Sequence, residues 1–433
     1  QNQGEHTYLE QGSIGKNVGY CTDGYQFFGT EYKSTNTPKA LVEGKLPNQV
    51  YQYEFGYIGL QSETFEGVGK HSICFYGAYE AEMKDVVTSP VFTDKVNELH
   101  NSLEWCRCHI EVDKSIDLAV SFENVYNSKE LSSEQLDKYF ANRKLEEYVD
   151  GKLQSFFMND YSHVVLPSKE LIMERPSGQV YISGNHFDFE EVMANTSYIY
   201  GLFTSQIVLG NTSFNKLSSN SRNSLNVQKI SGQRIFVKID GEYKLLCMPA
   251  AFQMGLNYAK WIYVIGDDVL SVVTIINEKT AKLTTTVVSE NNVNYEFVVT
   301  NYLTMAPNEH EADVLATVSG NSVTLKPQVG SMAHSQYPDL YFNISFDKDV
   351  LLGDDSTLYA DGNSRGDTIL TAKLTDNNFS VVVTGSTGSG KSEFIITYVF
   401  YFIFNHILTP NFIQIIFNSF FDDLIIKSSF KFV

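Results

Sequence analysis

The chain has 433 residues, of which 51 are acidic and 32 basic, for a formal net charge of −19. That length leaves room for two or three domains with sizeable cores, while the acidic balance argues against a protein that wraps nucleic acid and for one that handles neutral or small ligands. An acidic surface also serves simply to keep a protein in solution. The aromatic side chains are 26 Tyr and 30 Phe against 2 Trp, and Tyr offers an apolar plate with a polar tip that suits sugar faces and interfaces alike. Five cysteines, Cys21, Cys74, Cys106, Cys108 and Cys247, show neither zinc-ligand nor CxxC spacing, so reduced thiols in a cytoplasm are expected. No targeting segment follows Gln1, which reads as a processed chain or a fragment, the latter preferred.

In chain order, residues 8–125 carry short apolar and aromatic runs cut by Gly and Pro, among them Tyr51–Leu60, Ser72–Tyr76 and the alternating Ile116–Phe122. They predict strands of a half-buried antiparallel sheet. Ser132 with Gln135 forms a capping box, and Leu136, Tyr139, Phe140, Leu145 and Tyr148 recur at helical spacing, predicting one helix over Ser132–Val149. It is the single clear helix expected before residue 380. A polar run from Pro167 to Gly178 then leads to a second β region. There Arg234–Ile239 and Tyr243–Met248 flank Asp240-Gly241, Ala312–Val318 and Ser322–Leu325 flank Gly320-Asn321, and Lys282–Val288 alternates polar with apolar residues. Hairpins without intervening helices predict a large antiparallel sandwich.

The string Gly19-Tyr20-Cys21-Thr22-Asp23-Gly24-Tyr25-Gln26-Phe27-Phe28-Gly29-Thr30-Glu31-Tyr32-Lys33, with Tyr53-Glu54-Phe55-Gly56-Tyr57-Ile58-Gly59-Leu60, resembles the N-terminal part of β-1,2-oligoglucan phosphorylases of glycoside hydrolase family 94. Ile182-Ser183-Gly184-Asn185-His186-Phe187-Asp188-Phe189, Gly210-Asn211-Thr212-Ser213 and Ser221-Arg222-Asn223-Ser224-Leu225-Asn226 resemble their supersandwich domain. The resemblance spans about residues 8–384. With the strand pattern it implies a mainly β fold: an N-terminal β-rich domain (1–130), a helical linker (131–178) and a β-supersandwich (179–384), followed by a truncated P-loop-like end (385–433) outside the resemblance. It also implies inverting phosphorolysis of β-glucan oligosaccharides, with inorganic phosphate as co-substrate and a raised-pKa carboxylic acid as proton donor. In that family the acid and the phosphate site sit on a helical α/α barrel, for which the sequence after Ser392 has no room. No catalytic residue is therefore assigned, and the expected role is sugar contact and dimer scaffolding, with no nucleic-acid or membrane partner. Tyr200, Arg222 and Trp261 are the candidate sugar contacts, since aromatic plates and guanidinium forks suit sugar rings and hydroxyls. The blander reading of each is a core or sheet residue. His186 beside Asp188 and Glu190 could likewise begin a metal site, but an ordinary sheet histidine is the plainer reading, and no metal is expected.

Gly385-Ser386-Thr387-Gly388-Ser389-Gly390-Lys391-Ser392 fits the phosphate-binding pattern GxxxxGK[ST]. It resembles the P-loop of FtsK/SpoIIIE-type translocases, which implies Gly385, Gly388, Gly390, Lys391 and Ser392 as nucleotide-binding residues and ATP with Mg²⁺ as ligands if the loop works. An NTPase fragment and a non-catalytic sugar-binding module are the two alternatives. A Phe- and Ile-rich end without a second acidic strand favours a broken or fused reading frame, and the apolar run Phe394–Phe404 is too short to cross a membrane.

Overall fold

A computed structural model describes residues 6–52, 55–69, 71, 73–103, 119–120, 124–183, 192–210, 216–218, 225–306 and 311–388. The first part is built from two small antiparallel ladders. Tyr8–Ile14 pairs with Cys74–Glu80, and Asn17–Asp23 pairs with Gly56–Ser62. Between the partners of the second ladder run three short helices, Gly24–Phe28, Tyr32–Thr35 and Lys39–Glu43. The first starts where Asp23 accepts from the Tyr25 N–H while Gln26 reaches back to the Asp23 N–H, a closed capping box. Cys21, Ala40 and Leu46 are buried together beneath Phe27 and Tyr57.

Two expectations for this part need correction. The strands begin later than the aromatic runs suggest, at Gly56 and Cys74. Helices also precede residue 132, among them Thr93–Ser102, which has no side-chain cap and no buried residue. Neither a capping signal nor a buried stripe marks it in the sequence. Most of Ile116–Phe122 lies outside the described residues.

The capping box at Ser132 is present, with Gln135 N–H donating to Ser132 Oγ at 3.2 Å and Ser132 N–H to Gln135 Oε1 at 2.9 Å. Its helix is shorter than expected, Ser133–Tyr139. Asn142 turns the chain at φ 63, and Arg143 caps the helix end by donating to the Phe140 carbonyl and pairing with Asp137 and Glu146. Lys144–Val149 is consequently a strand, and its exposed Leu145 and Tyr148 matched helical spacing by coincidence. The stretch assigned to a helical linker supplies three strands, Lys144–Val149, Lys152–Phe157 and His163–Val165, to the main sheet.

That sheet has eleven strands, from Val314–Ser319 at one edge to Lys144–Val149 at the other. It faces a six-stranded sheet built on Ile369–Asp376, Tyr295–Tyr302 and Gln233–Ile239, whose edge strand Val125–Tyr126 pairs in parallel with Glu242–Leu246. A four-stranded sheet, Gly178–Ile182 to Lys216–Leu217, adds Tyr181, Met193 and Leu209 to the same core. The fold is thus mainly β and antiparallel, as the sequence predicts. Lys282–Ser289 shows why: Leu283, Thr285, Val287 and Ser289 alternate into the interior while Lys282 and Val288 face out. The predicted hairpins also form. Asp240 and Gly241 both take positive φ, 55 and 85, between paired Ile239 and Glu242, the arrangement of a type I′ turn. Gly320 alone is positive, φ 57, between paired Ser319 and Ser322, as a type II′ turn requires.

Candidate functional site

The aromatic sugar-contact candidates are interior residues. Trp261, on the strand Tyr258–Ile265, is 0% exposed; its ring packs edge-on against Phe203 at 4.9 Å and its Nε1–H donates to the Tyr198 carbonyl at 3.1 Å. Tyr200, also 0% exposed, stacks on Tyr198 at 5.6 Å under the Arg234 guanidinium. Neither ring presents a face to a sugar, so the core reading replaces the sugar-contact one for both. Arg222, His186, Asp188 and Glu190 lie outside the described residues.

The phosphate-loop pattern meets the wrong context. Its first residue, Gly385, is next to last in the strand Asn378–Ser386 and pairs with Phe342, and that strand lies between two antiparallel neighbours. A phosphate-cradling loop leaves the end of a strand in a parallel sheet and opens a helix. Gly388 takes φ 69, and a Cβ there would also stand 2.3 Å from that of Asp339. Close packing against the sandwich thus accounts for that glycine. Gly390, Lys391 and Ser392 lie outside the described residues.

The chemistry that the structure does concentrate lies in a buried polar seam between the first part and the sandwich. Lys33, carried by the helix Tyr32–Thr35, reaches under the turn Pro167–Glu170, whose proline sits in the first helical turn. Its Nζ donates to Glu170 Oε1 at 3.0 Å, the Glu170 carbonyl at 3.1 Å and the Met173 carbonyl at 2.6 Å. Both side chains are 0% exposed. Glu170 Oε2 accepts from the Ser177 N–H at 2.9 Å. Burial pushes the Glu170 carboxyl up and pulls the Lys33 ammonium down, with their mutual attraction opposing both. Nearby, Cys247 Sγ donates to the Lys33 carbonyl at 3.2 Å, and Lys229 stands 5.0 Å over the Tyr32 ring. Arg234 is fully buried and donates to the carbonyls of Ser231, Tyr200 and Gln228. Burial pulls it down to about 10.

Raised carboxyls are what a phosphorolytic acid requires, but Glu170 is sealed from solvent and held by Lys33 and Ser177. It cannot approach a glycosidic oxygen, and its role is to dock one part of the chain on the other. Sequence reading passed over Lys33 and Arg234 because charged residues are by default placed on the surface. The signal available was Lys33 closing an otherwise aromatic and Gly-rich string. Among the described residues no group of three or more His, Cys, Asp or Glu could hold a metal ion.

Two further carboxylates are structural. Burial pushes Glu10 up, but donors from Val91 N–H, Tyr76 OH, Tyr8 OH and Phe92 N–H outweigh it and hold the carboxyl below its ordinary value. Asp268 is likewise pushed up by burial and brought down further by Ser289 Oγ, the Asn291 N–H and Tyr295 OH. Because both folded values are depressed, their stabilisation is present above the unfolded carboxyl values and is lost as pH falls through the folded ones. The urea midpoint should therefore fall on acidification from about pH 6 to about pH 3. Glu10→Gln, which removes one titrating group, should flatten that fall, and an unchanged slope would remove Glu10 from the explanation.

The comparisons with known proteins follow the same division of the chain. Residues 140–385 match the glycoside phosphorylase supersandwich domain, and residues 1–77 match the SOGP N-terminal domain. The chain belongs to the glycoside phosphorylase supersandwich family. A 1,2-beta-oligoglucan phosphorylase of Listeria innocua serovar 6a is 35% identical over 341 residues, covering 78% of this chain and 30% of that protein. The chain thus spans under a third of the length of the curated relative it matches. Among solved structures, the heparan sulfate lyase HepC mutant of Pedobacter heparinus aligns with 59% of this chain and 40% of its own, at 11% identity and a TM-score of 0.30. A putative kojibiose phosphorylase from human microbiome aligns with 59% of this chain and 30% of its own, at 9% identity and a TM-score of 0.22. Scores that low carry no argument about function. The family match begins at residue 140, which agrees with the strands Lys144–Val149 to His163–Val165 belonging to the sandwich.

No helix among the described residues is long and apolar enough to cross a membrane.

Proposed function

We propose that the chain is the N-terminal, non-catalytic portion of an inverting β-1,2-oligoglucan phosphorylase, scaffolding the enzyme and contacting its oligoglucan. The observation that carries this reading is the identity of 35% to a 1,2-beta-oligoglucan phosphorylase over 341 residues, in a chain that carries both matched domains in order. The site adds a chemical reason: Glu170, the buried carboxyl pushed upward, is locked in the seam. In this reading the proton donor and the groups that hold inorganic phosphate come from a helical barrel outside the described residues. Phosphate attacks the anomeric carbon from the face opposite the departing oxygen, inverting the configuration. The free thiols of Cys21, Cys74 and Cys247 suit a reducing cytoplasm.

Incubation with sophoro-oligosaccharides and phosphate tests the proposal. The chain alone should release no glucose 1-phosphate above the buffer blank, and the same segment joined to a family catalytic barrel should release it. Phosphate-dependent turnover by the chain alone would overturn the division of labour.

A further inference from the structure

A cleft of about 490 Å³ opens on the surface where the first part of the chain meets the turn after Glu170. Its lining includes the exposed Pro47, the largely buried Ala40 and Leu46, and the rings of Tyr25 and Tyr51. Both tyrosines are fixed by the same residue of the sandwich: Tyr25 OH donates to the Glu174 carbonyl, and Tyr51 OH to Glu174 Oε2, the latter at 2.8 Å. Gln26 is held as well, its amide nitrogen donating to the Gln49 carbonyl at 2.8 Å. The cleft therefore stands on restrained side chains rather than on a loose loop, which lowers the cost of ordering it around a ligand.

Its polar rim selects the kind of ligand. Lys39 and Lys45 contribute two positive charges and Glu43 and Glu174 two negative ones, so the cleft holds no net formal charge to attract an ion. Lys39 and Glu43 are loosely paired at 3.8 Å. What remains is the half-buried Tyr51 ring and the exposed Pro47, set among donors and acceptors that include the exposed Gln49 amide. That pattern fits a sugar ring, whose C–H face packs on apolar and aromatic surface while its hydroxyls take mixed hydrogen bonds. The volume lies within the range of about 300–1,000 Å³ typical of small-molecule sites.

We propose that this cleft is a binding site for a neutral oligoglucan, lined by residues of both matched domains. The ligand class rests on the function proposed above; the location rests on the cleft itself. Because the glucan touches residues of both domains, its binding also tightens the seam.

The test is isothermal titration of the intact chain with a short sophoro-oligosaccharide, alongside the double variant Lys45→Ala/Gln49→Ala. Both residues are exposed and only backbone groups of Gln49 are used structurally, so the variant should fold with an unchanged urea midpoint. Its affinity is expected to drop about tenfold or more, and inorganic phosphate should not displace the sugar. Unchanged affinity in the variant would place glucan binding elsewhere and end the proposal while leaving the phosphorylase reading intact. Absence of any binding by the unmodified chain, or displacement by phosphate, would also end it. Loss of glucose 1-phosphate release from the barrel-joined protein is the separate outcome that would strike the phosphorylase reading.

Discussion

Lys33→Ala should destabilise the protein by about 3–5 kcal/mol, the cost of leaving one member of a buried ion pair without its partner. The carboxylate of Glu170 would keep the Ser177 N–H but lose the ammonium at 3.0 Å, in a site with no access to water. The Glu170 and Met173 carbonyls would lose the same donor. The penalty should depend on pH with a definite sign. With its partner gone, Glu170 keeps a folded value raised by burial, and an acid so raised destabilises the fold once pH climbs above its unfolded value of about 4.3. The difference between variant and parent should accordingly be largest near neutrality and shrink toward about pH 4. Comparing urea unfolding of the two proteins at each pH isolates this effect from Glu10 and Asp268, which are present in both. The double variant Lys33→Met/Glu170→Leu removes both charges and should recover most of the loss. A single variant that unfolds at the parent midpoint would show that the seam does not hold the two parts together.

Legibility of this chain followed the range over which each signal acts. Turns are set by two residues, so Asp240-Gly241 and Gly320-Asn321 placed their hairpins directly. Strand alternation over Lys282–Ser289 needed only eight residues and gave the correct buried face. Ser132 and Gln135 marked a helix start, but nothing local announced that Asn142 would reverse the chain, and Leu145 and Tyr148 kept a helical rhythm into a strand. Side-chain fate was harder to read, because it is decided by contacts between distant segments. Lys33 meets Glu170 across 137 positions, and Trp261 meets Tyr198 across 63. The eight-residue phosphate-loop pattern shows the converse: a local match has no force when its first glycine lies at the end of a strand held between antiparallel neighbours. Family-like strings pointed to the family of both matched domains because they integrate such distant constraints, but they started the sandwich at 179 rather than near 140, and the cleft lay beyond them.

Trp261→Ala should cost about 3–5 kcal/mol, as truncation of a large buried aromatic ordinarily does. The ring fills the interior between Phe203 and Phe252, with centroids at 4.9 and 5.1 Å. Rigid strands on either side, paired from Ala251 to Met254 and from Asp268 to Ile275, leave the backbone little freedom to close the space. The loss also strips the Tyr198 carbonyl of its Nε1–H donor. Trp261→Phe separates the two contributions: it keeps much of the volume, removes the donor, and should cost about 1–3 kcal/mol for the carbonyl plus whatever void remains. The same pair of variants decides between interior packing and sugar contact. If Trp261 is core, the phenylalanine variant should bind sophoro-oligosaccharide with the parent affinity while unfolding at lower urea. A tenfold weaker affinity at an unchanged midpoint would put the indole on the sugar, and with it the strand Tyr258–Ile265 at a binding surface rather than inside the sandwich.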